Sequence, residues 1–176
     1  MKSEIRNPKS EISRHLDTGT KIYEFYDEFL VVCPRCGSLG KVVIDEERSE
    51  ELSTRKIDQH RNKLFGPRKF ICTKCVHRDR WNGSQITSGT NRDWYFGFRL
   101  WLEIECCGEL LWAYNLEHLQ MIEEYVGAKL RERTNKGRNS FFSKLPQWIK
   151  SAKNRDEVLR AIRRLREKLD GSNRRN

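Results

Sequence analysis

The spacing of hydrophobic residues divides the chain near position 115. Before that position, short apolar runs with a two-residue period alternate with polar segments, which is typical of β-strands. In the clearest run, 94–106, alternate positions place four apolar side chains on one face: Leu100, Leu102, Ile104 and Cys106. Trp101, Glu103 and Glu105 fall on the opposite face, so the pattern predicts a strand with one buried side.

This strand is predicted to form the first half of a hairpin. Cys107 and Gly108 have the composition of a turn, and 110–114 resumes the pattern of a returning strand. Shorter β-forming runs precede the hairpin at 21–32, 42–44 and 69–71. The polar stretch 45–63 predicts an excursion with a short helix, and 82–91 has the Asn, Gly, Ser and Thr content of a loop.

Beyond position 115 the apolar spacing becomes helical. Asn115 is a typical N-cap residue, and the stripe after it has a period of three to four residues: Leu116, Leu119, Ile122, Val126 and Leu130. A short helical piece is expected within 141–153. The last helix is expected over 155–169, where Asn154 and Glu157 resemble a capping box at its start.

Two C-x2-C pairs carry the strongest chemical signal. Cys33 and Cys36 follow the first β-forming run, and Cys72 and Cys75 follow the third. Two residues between thiolates allow a tight turn, here called a knuckle, to direct both sulfurs at one ion. Four thiolates in tetrahedral geometry select zinc and leave no position open for water. The spacing therefore predicts one structural Zn²⁺.

Other interpretations of the six cysteines remain open. The two pairs could form disulfides or hold an iron–sulfur cluster, although an intracellular chain disfavours disulfides. His77, two residues after Cys75, could replace one thiolate. Cys106 and Cys107 are adjacent, and adjacent residues of a strand point to opposite faces. We therefore expect a buried Cys106 and a Cys107 in the turn, rather than a second metal site.

The residues around the two knuckles, 32–38 and 70–75, resemble the zinc ribbons of transcription factor IIB and its relatives. That resemblance implies a ribbon fold and the transcription machinery as one kind of partner. The stretch 23–169 also resembles a group of small bacterial zinc-ribbon proteins, for which no mechanism is implied. Besides the knuckles, the second resemblance rests on 81–83, 93–97, 105–108, 111–115 and 145–152.

Together these signals predict an α+β fold, with a four-cysteine zinc ribbon and a short antiparallel β-sheet followed by two or three C-terminal helices. The expected organisation is a flexible tail over 1–20, the ribbon and sheet over 21–115, helices over 116–170 and a basic tail over 171–176. No run approaches the roughly 18 consecutive apolar residues of a membrane span. The N-terminus also lacks the apolar core of a signal peptide, so the sequence predicts a cytoplasmic protein.

The distribution of charge along the chain indicates a class of function. The 176 residues include 35 Lys and Arg against 25 Asp and Glu, a formal net charge of +10. Residues 131–176 hold 15 of the basic and 5 of the acidic side chains, so the whole excess lies there. A second basic segment, 61–80, contrasts with 100–125, which has six acids and no Lys or Arg. Such asymmetry indicates a surface for polyanions.

Nucleic acid is the expected polyanion. Basic residues flank the apolar stripe of 155–169, and the planar fork of arginine suits phosphate. Basic residues also surround the second knuckle, next to a tryptophan that could stack on a base. The predicted contacts are Lys69, Lys74, Arg78, Arg80, Trp81, Arg160, Arg163, Arg164, Arg166 and Lys168.

The sequence has no Gly-rich phosphate loop, H-E-x-x-H or G-x-S-x-G motif. It therefore predicts a non-enzymatic zinc-ribbon protein that binds DNA or RNA. One alternative is a protein-interaction subunit or adaptor of a larger bacterial transcription or defence complex. A metal-dependent nuclease is the other, because Glu103, Glu105 and Glu109 could hold Mg²⁺, although a solvated strand face also explains these carboxylates.

Overall fold

The structure is a computed structural model that describes residues 13–52, 64–81, 91–134 and 139–173, without the side chains of 50–52 and 173. The strands are β1 (Arg14–Asp17), β2 (Glu28–Val32), β3 (Leu39–Ile44), β4 (Arg68–Cys72), β5 (Arg78–Arg80), β6 (Leu102–Cys106), β7 (Glu109–Ala113) and β8 (Leu130–Arg133). The helices are α1 (Glu46–Leu52), α2 (Leu116–Gly127), α3 (Phe141–Lys144), α4 (Gln147–Lys150) and α5 (Arg155–Asn173), with 3₁₀ turns at Ile22–Phe25 and Ala152–Asn154. This order confirms the predicted α+β fold.

A four-stranded antiparallel sheet forms the ribbon, and its strands are neighbours in the order β2-β3-β4-β5. Phe29 of β2 lies opposite Val42 of β3, which lies opposite Phe70 of β4. All three side chains are fully buried. This row of cross-strand neighbours gives the ribbon one apolar face, as the alternating sequence pattern requires.

The hairpin of β6 and β7 is confirmed, and it joins the ribbon at β2. The Leu30 amide donates to the Tyr114 carbonyl at 2.7 Å, and the Trp101 amide donates to the Leu30 carbonyl at 2.9 Å. Asn115 strengthens this junction. Its Oδ1 accepts from the His118 amide as the N-cap of α2, while its Nδ2 donates to the Phe25 and Glu28 carbonyls at 2.9 Å.

The predicted strand over 94–106 begins later than the alternation indicates. The buried Asp93 carboxylate accepts backbone hydrogen bonds from Tyr95, Phe96 and Phe98, at 2.9, 2.8 and 2.6 Å. These bonds hold the chain in a turn, because they satisfy amides that a strand would use in its ladder. Regular pairing therefore starts only at Leu102.

The C-terminal helices share one core with the ribbon. The buried face of α5 includes Val158, Ile162 and Leu165, which belong to the same apolar cluster as Phe70 of the ribbon. Helix α5 is therefore an integral part of the fold, despite its charge. Within the described residues, no helix is both long enough and apolar enough to cross a membrane.

The structure differs from the predicted boundaries in three places. The tail predicted over 1–20 contains β1, which pairs in parallel with β8, and His15 and Asp17 of β1 are buried. Residues 1–12 lie outside the described part. Leu130, predicted to continue the stripe of α2, instead begins β8 and is 39% exposed. The basic tail predicted over 171–176 starts within α5, and residues 174–176 are not described.

The capping pair predicted for α5 makes other hydrogen bonds. Asn154 Nδ2 donates to the Trp148 carbonyl at 3.0 Å, which fixes the chain between α4 and α5. Glu157 Oε1 accepts from the Cys107 amide at 3.0 Å, which ties the first turn of α5 to the β6–β7 turn. The predicted loop over 82–91 lies outside the described residues except for Asn91.

Candidate metal centre and basic surface

The first knuckle is the turn between β2 and β3. The Cys33 amide donates to the Ser38 carbonyl at 2.8 Å, and the Gly37 amide donates to the Cys33 carbonyl at 2.9 Å. Gly37 has a φ of 68°, in the left-handed region that favours glycine. As a result Cys33 is buried and Cys36 is exposed within one tight turn.

The second knuckle begins at the end of β4. The amides of Lys74 and Cys75 donate to Cys72 Sγ at 3.4 and 3.3 Å, and such bonds stabilise a thiolate. Val76 follows the second pair where Gly37 follows the first, and it is 93% exposed with a negative φ. The second knuckle therefore needs no glycine at this position.

The two knuckles bring all four predicted sulfurs together. They lie within 4.8 Å of one another, with Cys36 Sγ 3.5 Å from Cys72 Sγ and Cys33 Sγ 3.8 Å from Cys75 Sγ. Zinc–sulfur bonds of about 2.3 Å in a tetrahedron require sulfurs about 3.8 Å apart. All four cysteines are free thiols. The predicted cluster on an antiparallel sheet is confirmed, and its spacing fits an ion of this size.

His77 lies beside the cluster rather than replacing a cysteine in it. Its Nδ1 is 3.8 Å from Cys33 Sγ. The group of mutually close ligand atoms is complete with the four sulfurs and does not include His77. The ring also packs edge-on against Phe70, at 5.1 Å between centroids, so it contributes to the ribbon core.

The pKa values of Cys33, Cys36 and Cys75 differ because their surroundings differ. The backbone amide of Ser38 lowers the pKa of Cys36 to about 6, whereas burial raises the pKa of Cys33. The backbone amide of His77 lowers the pKa of Cys75, but desolvation and the neighbouring thiols outweigh it and raise that pKa to about 12. Thiols this close repel one another once ionised, and a divalent cation would remove that repulsion.

Two of the predicted phosphate contacts near the second knuckle are paired with a buried acid. Asp45 is fully buried between β3 and α1, with Arg80 Nε 3.2 Å from Oδ2 and Lys69 Nζ 3.7 Å from Oδ1. Arg80 Nη2 also lies 2.7 Å from Glu47 Oε2. Lys69 and Arg80 therefore neutralise the carboxylate at this end of the sheet. No residue pattern identified Asp45, since its burial depends on the sheet around it.

Lys74 and Arg78 of the second knuckle are exposed, as is Arg80, which pairs with Asp45 and Glu47. Trp81, predicted to stack on a base, is 8% exposed. Its ring meets the Tyr95 ring edge-on, with centroids 5.1 Å apart. The Trp81 ring therefore fills the core between the ribbon and the Asp93 turn, where it presents little surface for stacking on a base.

Helix α5 presents four of its predicted contacts to solvent, namely Arg160, Arg163, Arg164 and Lys168. Arg166 instead donates from Nε and Nη2 to Glu123 Oε2 of α2, at 3.1 and 2.6 Å. The sequence places Arg166 on the flank of the helix but does not reveal its partner across the helix pair.

A cleft of about 340 Å³ brings the two predicted basic groups together. Lys74 of the second knuckle and Lys168 of α5 both line it, as does Trp101. Lys168 Nζ donates to the Trp101 carbonyl at 2.6 Å and lies 4.7 Å from the centroid of its ring. Desolvation lowers the pKa of Lys168. The alternation places Trp101 on the face opposite the buried one, and in the structure its side chain is half-buried beside Lys168.

The carboxylates of the nuclease alternative do not converge. Glu103 accepts from Asn91 Nδ2 at 3.1 Å and pairs with Arg99 Nε at 3.0 Å. Glu105 and Glu109 are exposed on the hairpin. Within the described ranges, none of the three belongs to a group of side chains close enough to share an ion.

Cys106 and Cys107 occupy the places that the pattern predicts. Cys106 is 4% exposed at the end of β6, and Cys107 lies half-buried in the following turn. Desolvation, together with the neighbouring Cys107 thiol and the Glu157 carboxylate, raises the pKa of Cys106 to about 12.

Searches of family models, curated proteins and solved structures find no match to this chain. The resemblance to transcription factor IIB and to the bacterial group is therefore supported only by the four-cysteine cluster on its antiparallel sheet.

Proposed function

We propose that this chain is a non-enzymatic zinc-ribbon protein that binds nucleic acid. The observation that carries the proposal is the cleft in which Lys74, Lys168 and Trp101 meet beside the cysteine cluster. A zinc ion would fix both knuckles, and thereby hold Lys74 at a constant distance from α5. The ion would have a structural role, since four thiolates fill its coordination sphere.

The proposed phosphate contacts on α5 are Arg160, Arg163 and Arg164. Arg163 and Arg164 lie about one helical turn beyond Arg160, and the exposure of all three supports contacts with successive phosphates of a strand. Lys74 and Arg78 would extend this surface from the second knuckle. Trp101, which lies beside Lys168 and is partly exposed in the cleft, would replace Trp81 as the group that stacks on a base.

Affinity for a mixed-sequence oligonucleotide, measured across a salt series, tests this proposal. Each lost phosphate contact reduces the slope of log affinity against log salt by about 0.9 for duplex DNA. The slope measured for the triple variant Arg160→Ala, Arg163→Ala and Arg164→Ala should therefore be smaller in magnitude than that of the wild type by about 2 to 3. Lys129→Ala, which removes an exposed cation between α2 and β8, should leave the slope nearly unchanged. A wild-type protein whose affinity does not respond to salt would refute nucleic-acid binding.

A second candidate function is docking to a protein partner. An apolar groove of about 240 Å³ lies between the start of the ribbon and α3, and it is lined by Ile22, Tyr23, Trp112, Leu145 and Pro146 among others. Apolar surface of this kind favours a hydrophobic ligand or side chain over a phosphate. A stoichiometric protein that copurifies after nuclease treatment, and is lost in Trp112→Ala, would favour this function.

A further inference from the structure

The β6–β7 turn places two adjacent thiols on the same side of the chain. Cys107 and Gly108 are the two turn residues, and both have a positive φ, 56° and 76°. Positive φ values at both positions are typical of the tight hairpin turn that matches strand twist. The turn changes the direction of the chain at Cys107, so that the two side chains do not alternate as they would in a strand. Cys106 Sγ and Cys107 Sγ are consequently 3.6 Å apart.

Helix α5 adds a carboxylate to this pair. The Cys107 amide donates to Glu157 Oε1 at 3.0 Å, across fifty residues of sequence. Cys106 Sγ, Cys107 Sγ and a carboxylate oxygen of Glu157 all lie within 4.8 Å of one another. Because the hydrogen bond holds Glu157 against the turn, the three groups are organised by the fold rather than by chance proximity on a flexible surface.

We propose that Cys106, Cys107 and Glu157 form a second site for a thiophilic divalent cation of the zinc class. The separation of the two sulfurs, 3.6 Å, falls between the 3.5 and 3.8 Å of the four-cysteine cluster. Two thiolates and a carboxylate are ligands that zinc accepts, and they supply three of the four positions of a tetrahedron. This inference does not depend on the proposed nucleic-acid binding.

The fourth position of this ion would face a cavity of about 370 Å³. The cavity is lined by Cys106 and Glu157 together with two guanidinium groups, Arg160 and Arg164, and by Glu105 and Ala161. Binding replaces the two thiol protons, which leave to solvent, so that two thiolates, one carboxylate and the divalent ion carry one net negative charge. The guanidinium groups would offset that charge. The open position distinguishes this site from the closed four-cysteine site, because water or an external anion can enter it.

Cadmium is a suitable probe, because its NMR shift depends on how many sulfurs bind it. The full-length protein, reduced and freed of metal, is titrated with Cd²⁺. We expect two bound equivalents and two resonances, one from four sulfurs and one from a ligand set with fewer sulfurs. Cys107→Ser should abolish the second resonance and keep the first. Glu157→Gln should lower the affinity for the second Cd²⁺ at least about tenfold, since even groups that only hydrogen-bond to metal ligands alter metal affinity by that factor.

The matched control is Glu105→Gln, which removes a carboxylate from the same cavity without removing a proposed ligand. Both equivalents should persist in this variant. Cys107 is half-buried in a turn and Glu157 is exposed, so neither substitution removes core volume, and circular dichroism checks the fold of each. A single bound equivalent in the reduced wild-type protein would overturn the proposal. A second equivalent that persists in both Cys107→Ser and Glu157→Gln would overturn it equally.

Discussion

Arg166 Nη2 lies 2.6 Å from Glu123 Oε2, so that one guanidinium group joins helix α5 to helix α2. Nε of the same group donates to the same oxygen at 3.1 Å. The two side chains are 31% and 33% exposed, which limits solvent screening of the pair without removing it. Arg166 therefore has a role in helix packing that its exposed neighbours on α5 do not share.

Arg166→Ala should consequently lower stability and leave nucleic-acid affinity almost unchanged. We expect the free energy of unfolding to fall by about 1 kcal/mol, because a partly exposed ion pair with two hydrogen bonds is lost. Arg163→Ala is the matched control on the same helix. It should change stability by less than about 0.5 kcal/mol but reduce affinity for an oligonucleotide. Urea denaturation and salt-dependent binding measure the two effects, and the opposite assignment of the two arginines would contradict the proposed surface.

Removal of the metal should unfold the ribbon. Cys36→Ser deletes one of four sulfurs at an exposed position, so the core loses no volume directly. Structural zinc sites contribute about 10 kcal/mol or more to small domains, which is comparable to the whole stability of a protein of this size. We therefore expect loss of bound metal and of the cooperative thermal transition in this variant, and the same result when a chelator is added to the wild type.

Lys74→Ala is the control for that experiment, since it alters the same knuckle between the two cysteines. The backbone amide that donates to Cys72 Sγ remains in this variant, so the ion at the four-cysteine site should be retained. Elemental analysis identifies the ion. Iron with inorganic sulfide in place of zinc would contradict the structural zinc assignment, and it would leave the four-cysteine ligand set intact.

The four-cysteine cluster and the hairpin could be predicted because their signals are local. Two residues between cysteines already determine the shape of each knuckle, and Cys107-Gly108 already determines a two-residue turn. Helix α2 could be predicted for the same reason, because Asn115 and the apolar stripe act within one element.

The remaining errors concern contacts between distant parts of the chain. Trp81 lies in a polar stretch of sequence but is buried in space, because the Asp93 turn brings Tyr95 against it. Strand β1 pairs with β8 across more than a hundred residues, and a four-residue parallel pair leaves no distinctive pattern in either segment. Alternation likewise could not reveal the Cys106–Cys107 pair, since the turn at Cys107 ends the strand geometry on which alternation depends.

Gly40 should be essential to the ribbon, whereas Gly127 should not. A Cβ at Gly40 would lie 2.8 Å from Phe70 Cζ and closer still to Cε2, and the Phe70 ring is fully buried and cannot move away. Gly40→Ala should therefore cost about 1–3 kcal/mol. At Gly127, in the last turn of α2, a Cβ meets no atom within 4 Å, so Gly127→Ala should stabilise the helix by up to about 1 kcal/mol. Thermal denaturation compares the two, and equal effects would contradict the close approach of β3 to the Phe70 ring.

His118 should make the stability of the protein fall as the pH decreases below neutrality. Burial lowers the pKa of His118 to about 3, and its ring stacks on Phe25 with centroids 4.9 Å apart. Its Nδ1 accepts from the Tyr114 amide at 3.2 Å, which requires that nitrogen to be unprotonated. Between pH 6.5 and about 3 the unfolded chain binds a proton that the folded chain does not. Stability is therefore complete above pH 6.5 and is lost as the pH falls through this window.

Because of His118, the free energy of unfolding should fall by about 1.4 kcal/mol for each unit of pH at values well below 6.5. Urea denaturation at several pH values from neutral to mildly acidic would measure this dependence. Bound metal is assayed at each pH, so that the effect of His118 can be separated from loss of the ion. His118→Gln removes the titrating group and keeps an acceptor for the Tyr114 amide. The variant should be less stable at neutral pH, because an amide enters an aromatic core, but its stability should depend less steeply on pH. A variant with the same slope as the wild type would show that other groups govern the acid response.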